Sequence, residues 1–251
     1  MKGRSVVLVL AAALISACST SPPAPSPSST RPSAAISPPS TQTPSGPGST
    51  SSVSSRAIGY IGCSNTAQTV AGYHAEGGTR LWPTLGSYGG GSISRWARDV
   101  RDPSSPLWTG FSVALHELPT RDVWLQFCSL AGTTGDQAYA AAVTIIAQIR
   151  RLVPDARIYV SALNGFVPPH VCEETGADGP SLMAALARRL VSEGLARRGP
   201  DVGELLSIYQ TPSNRATAEN NQTTIDGCHP NEAGQAYLGR TLMTFPAFSE
   251  G

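Results

Sequence analysis

With 251 residues, a net charge of +1 and only 14% charged side chains, the chain carries neither the basic stripe of a nucleic-acid binder nor an acidic block suited to a cationic partner. An average soluble chain is about 25% charged, so the composition points to an apolar core with a lightly charged surface. The sequence shows no internal repeat, and beyond its N-terminus it has no apolar run long enough to span a membrane.

Residues 1–18 begin with Lys2 and Arg4, continue through an apolar run from Val6 to Ile15 and end in Ser16-Ala17-Cys18. A basic start, a short apolar centre and small residues before a cleavage point describe an export signal. Cysteine directly after Ile15-Ser16-Ala17 resembles a bacterial lipobox. That resemblance implies lipid modification of Cys18 and a tether to the outer face of the cytoplasmic membrane; the plainer alternative is a secretory signal with an incidental cysteine. Residues 19–55 are dominated by Ser, Pro and Thr and cannot bury enough apolar area to offset the entropy of ordering, so they predict a disordered linker. Such a linker reaches roughly 35 Å as a coil and about 115 Å as polyproline II. Residues 56–251 are then one domain with one core, expected as a monomer.

Within that domain, Ala57 to Thr66 reads as a short buried strand that breaks at Ser64, with Asn65 or Thr66 as N-cap of a helix through His74. Thr79 to Leu85 suits a second short strand, confined to an edge by Pro83. Gly89-Gly90-Gly91 follows, then Ser92 as N-cap of a helix through Ile93, Trp96 and Val100. Leu107 to Leu118 predicts a helix with Trp108, Phe111, Leu115 and Leu118 on one face. Asp122 to Leu130 reads as a central strand. Gly135 to Val153 is the clearest helix, with Ile145, Ile146 and Ile149 near helical spacing and Arg150 and Arg151 at its end. Arg157 to Leu163 is the next strand, Pro180 to Arg198 a further amphipathic helix, Glu204 to Gln210 the last strand, and Asn231 to Met243 the closing helix. Five strands alternating with helices call for a parallel sheet covered on both faces, three layers in all.

Two stretches carry chemistry. Ser64 falls at a strand's carboxyl end beside free helix amides, where open α/β sheets place ligands. Near the far end, Asp226 and His229 stand three apart across a turn ended by Pro230. A carboxylate there can hold one imidazole nitrogen while the other faces a hydroxyl. A serine hydroxyl needs such a base to become a nucleophile. No cofactor is required.

A serine after the first strand, a Gly-rich turn after the second and Asp-x-x-His before the last helix together resemble the SGNH (GDSL-type) hydrolases. The likeness runs from about Ile58 to Phe245. Asp226-Gly227-Cys228-His229-Pro230-Asn231 is its most specific part, whereas Gly62-Cys63-Ser64-Asn65 has Cys63 where the family usually has Asp. The resemblance implies a flavodoxin-like sheet of order 2-1-3-4-5. It also implies a Ser64-His229-Asp226 site and an oxyanion hole made by the amides of Ser64 and of Gly90 or Gly91. The asparagine that the family adds after its third strand is missing: Gln126-Phe127-Cys128-Ser129 stands there, with Asn164 or Gln126 as substitutes. The expected activity is hydrolysis of O-acyl esters on carbohydrate or lipid; a noncatalytic glycan-binding module and an acyltransferase are the alternatives.

Apart from Cys18, four cysteines remain, an even count that favours two disulfides in an exported protein but allows three pairings. The implied fold prefers Cys63 with Cys128 and Cys172 with Cys228. A zinc site from His170, Cys172, Cys228 and His229 is the alternative, though it would consume the base. His74, His116, Glu173 and Glu174 read as structural or solvated. Trp82, Tyr88 and Trp96 suit a substrate pocket or the core.

Overall fold

The computed structural model describes residues 56–83, 90–167, 171–205 and 223–249. The proposed signal, Cys18, the linker, Tyr88, Gly89 and His170 lie outside the described residues.

Strand β1 (Ile58–Ile61) leads into helix α1 (Ser64–Ala75); α2 (Ile93–Asp99) and α3 (Pro106–Glu117) precede β2 (Asp122–Phe127). Helix α4 (Gly135–Leu152), strands β3 (Arg157–Ala162) and β4 (Gly165–Phe166), helix α5 (Gly179–Ser192), strands β5 (Arg197–Arg198) and β6 (Glu204–Leu205) and helix α6 (Glu232–Met243) complete the order. The main sheet is parallel in the order β1-β2-β3-β5, with Ile58 opposite Asp122, Asp122 opposite Arg157 and Tyr159 opposite Arg197.

Every residue of β1 and β2 is buried, as a sheet covered on both faces requires. On one face, Trp124 and its register partner Tyr159 meet Phe248, whose carbonyl accepts from the Tyr73 hydroxyl of α1 at 2.8 Å. Helix α6 packs along α1, while α2, α3, α4 and α5 form a separate packed group. The buried edge of α4 is Ala138, Ala142, Ile145, Ile146 and Ile149. Val143, on the opposite side of the same helix, is exposed.

The expected five-strand order is corrected. The second strand reduces to a parallel bridge between Leu81 and Ile58, and Pro83, which has no N–H, cannot extend it. The far edge is β5, which the sequence placed in the helix from Pro180 to Arg198. That helix stops at Ser192 because Gly194 takes φ +69° and closes it, with Gly194 N–H donating to Val191 O at 3.0 Å and Leu195 N–H to Leu190 O at 2.9 Å. The strand expected at Glu204 to Gln210 is seen only as β6, which pairs with β4 in a separate two-stranded parallel sheet. Residues 206–210 lie outside the described residues.

Candidate active site

The turn between β1 and α1 is fixed from several sides. Helix α1 begins at Ser64 itself, with Cys63 as N-cap, one residue earlier than the expected caps. The Cys63 N–H donates to Thr66 Oγ1 at 3.0 Å, so Thr66 serves the helix start as an N3 acceptor. Gly62 O accepts from the Trp96 indole at 2.8 Å and from the Gly91 N–H at 2.9 Å. Trp96 is in turn stacked edge-on against Trp108 at 5.1 Å. Trp96 and Trp82 are therefore core residues, not pocket aromatics.

Ser64 Oγ lies 2.8 Å from His229 Nε2, and His229 Nδ1 lies 2.7 Å from Asp226 Oδ2. Asp226 Oδ1 accepts from the N–H groups of Cys228 at 2.9 Å and His229 at 2.8 Å, so the carboxylate organises its own turn as well as the imidazole. Burial pushes the Asp226 carboxyl up, but the backbone donors of His229 and Cys228 and then the imidazole outweigh it and hold the group below its ordinary value. With Asp226 charged, Nδ1 carries the proton and Nε2 is left to accept from Ser64. Asp226 is 51% exposed and His229 21%. The chemistry open to this chain of groups is nucleophilic attack by Ser64 with His229 as proton carrier.

Helix α1 leaves the Ser64 amide without an intrahelical partner, at the positive end of the helix dipole. Neither it nor the Gly90 amide has a hydrogen-bond partner among the described residues. Gly90 has φ +69° and packs so close that a Cβ would sit 2.4 Å from Cys63 Cα, which only glycine permits. The Gly91 amide, the other candidate, is committed to Gly62 O. Gln126 donates to Ala162 O at 3.3 Å and Asn164 is fully buried; neither lines the cavity around Ser64. The missing asparagine is thus not replaced by either suggested side chain.

Disulfides join Cys63 to Cys128 and Cys172 to Cys228, with Cα separations of 6.1 and 4.9 Å. The zinc alternative is corrected by this, because Cys172 and Cys228 are bonded to each other and hold no free thiolate. Each bridge ends one residue before a site residue: Cys63 before Ser64, Cys228 before His229. Asn65, read from sequence only as a possible cap, is a positioning residue that sequence reasoning missed. Its Nδ2 donates to Cys228 O at 3.0 Å and lies 3.4 Å from Asn164 Oδ1, tying the first turn of α1 to the histidine loop. His74 is structural, both ring nitrogens facing backbone carbonyls of Gly78 and Trp82. The cavity over Ser64 holds about 130 Å³ and is bordered by Gly90, Ser129, Leu130, Leu163, Glu174 and His229 among others. Ser129 Oγ is buried there with no hydrogen-bond partner among the described residues. No group of metal-ligating side chains occurs among the described residues.

No family model and no curated protein matches this chain. Among solved structures, a protein described as a GDSL-like lipase from Parabacteroides merdae is similar at TM-score 0.41 and 10% identity, over 74% of this chain and 93% of that one. An active-site mutant of a family two carbohydrate esterase from Clostridium thermocellum is similar at TM-score 0.35 and 15% identity, over 74% of this chain and 62% of that one. Likeness at this level leaves the assignment to the geometry of the site.

Proposed function

We propose that this chain is an SGNH-type serine hydrolase that cleaves O-acyl esters of carbohydrate or lipid. The observation that carries the reading is the unbroken contact from Ser64 Oγ through His229 to Asp226, at 2.8 and 2.7 Å. Ser64 Oγ attacks the acyl carbon while His229 Nε2 takes its proton; the ester C–O bond breaks and the alcohol leaves with that proton. Water then repeats the sequence and frees the acid. Asp226 orients the ring and offsets the imidazolium charge. The amides of Ser64 and Gly90 take the developing oxyanion. A binding module has no need of a hydroxyl, a base and a carboxylate in series.

Hydrolysis of p-nitrophenyl acetate tests the reading: Ser64→Ala should lose turnover by about 10⁴- to 10⁶-fold. A wild type that turns over no ester yet retains a glycan would instead favour the noncatalytic module, and product that requires a sugar acceptor would favour acyl transfer. The same proposal places the domain outside the cytoplasm on a lipid at Cys18. Labelled palmitate should enter the wild type and not Cys18→Ala; no incorporation in either removes the anchor.

A further inference from the structure

A second cavity, of about 410 Å³, lies between α5 and the β5 edge of the sheet and shares only Leu163 with the cavity over Ser64. Val160 and Val202, each 2% exposed, form its floor. One wall is a stripe of α5, Ala184, Ala187, Arg188 and Val191, whose i, i+3, i+4 and i+7 spacing puts them on a single face. Met183, Leu186 and Leu190 of the same helix are buried, so it is at the short alanines beside them that space opens. Residues 198–202 make the opposite wall. Arg198 is the register partner of Val160, and paired residues of neighbouring strands turn their side chains to the same face.

Most polar groups around this space are already engaged. Ser161 Oγ donates to Pro200 O at 2.6 Å and accepts from the Trp124 indole at 3.0 Å, and Ser192 Oγ donates to Arg189 O at 2.8 Å. Asp201 Oδ1 accepts from the Gly203 N–H at 3.2 Å. Next to the stripe, Arg189 is held by Glu193 at 2.9 Å and lies over the Tyr139 ring. Arg188 and Arg198, by contrast, make no ion pair and no side-chain hydrogen bond among the described residues. Two free guanidinium groups against the one carboxylate of Asp201 leave the mouth positive. A space of this size is within the roughly 300–1,000 Å³ of small-molecule sites, and guanidinium forks match a carboxylate.

We infer that this cavity is a second ligand site, separate from Ser64, that takes a free aliphatic carboxylate. The chain lies on Val160, Val202 and the α5 alanines, and the head group meets Arg188 and Arg198. No bond is made or broken there, so the site stands whether or not Ser64 turns over an ester.

Titration calorimetry on the full chain tests this with octanoate, octanol and acetate. Octanoate should bind at least about 30-fold more tightly than acetate, a modest gain for six methylenes because the open side of the cavity leaves part of the chain in water. It should bind at least about tenfold more tightly than octanol, which has the chain without the charge. Arg188→Gln with Arg198→Gln should remove the advantage over octanol, and Ala184→Leu with Ala187→Leu, which fills the cavity, should remove the advantage over acetate. Far-UV circular dichroism should be unchanged in both; if the filled variant does not fold, the arginine variant decides alone. Octanoate that binds no better than acetate, or that keeps its affinity without the two arginines because it sits at Ser64 or elsewhere, overturns the inference. Capture on phosphatidylglycerol vesicles with no binding of free octanoate would assign the arginines to a membrane surface and overturn it as well.

Discussion

Asp226 does two jobs with two oxygens, and its exposure sets how much each is worth. Oδ1 closes the turn through two backbone donors and Oδ2 holds the imidazole. Its folded value lies below its ordinary one, so its charge stabilises the fold fully above an unfolded carboxyl value of about 3.9 and that contribution fades as pH falls through the folded value. Because the side chain is half exposed, solvent screens it to within about 1 kcal/mol. Asp226→Asn should therefore lower stability only slightly at neutral pH, and urea melts of variant and wild type should converge as pH is lowered from about 4 toward 2. The same substitution should reduce kcat/KM by about 10²- to 10⁴-fold, because the amide favours the wrong ring tautomer. Turnover close to wild type would show that the carboxylate serves the turn alone. Asp226 and His229 were legible in the sequence because three-residue spacing before Pro230 constrains both to one turn. The choice between Gly90 and Gly91 was not, since it depends on which amide Gly62 O captures.

At the scale of elements, the site is a set of loop ends pinned to a sheet. Residues 226–229 belong to no helix or strand, and their anchors are Asn65, the N-cap of α6 at Asn231 and the Cys172–Cys228 bridge. Helix α6 approaches α1 so closely that a Cβ on Gly72 would lie 1.9 Å from Gln235 O, and one on Gly239 2.3 Å from Gly72 C. This crossing sets the helix that begins at Ser64 against the helix that follows His229. Removing the Cys172–Cys228 bridge by paired Ser substitutions frees a loop of 56 residues, worth about 4 kcal/mol in the chain-entropy account. The histidine turn, whose residues 226–229 belong to no helix or strand, should loosen before the buried strands do. Ester turnover should drop at least about tenfold while far-UV circular dichroism at 25 °C is retained and Tm falls; full turnover without the bridge would contradict this. The end of α5 was missed, because helical periodicity through Leu195 outweighed the stop at Gly194, and a two-residue strand such as β5 leaves too few positions for alternation to register.

Over the whole domain, Ser64 and His229 are separated by 165 residues and meet because β1 and the last helix turn share one end of a parallel sheet. That architecture followed from the alternation of strands and helices. The loss of the fifth expected strand to an isolated pairing of β4 with β6 did not, because sheet membership is decided by partners distant in sequence. The most direct test of the central claim is to treat the wild-type protein with a fluorophosphonate, digest it and map the adduct by mass spectrometry. A single phosphonyl group on Ser64, formed at least about 10³-fold more slowly in His229→Ala, is the predicted result. An adduct elsewhere, none at all, or one formed equally fast without His229 would contradict it.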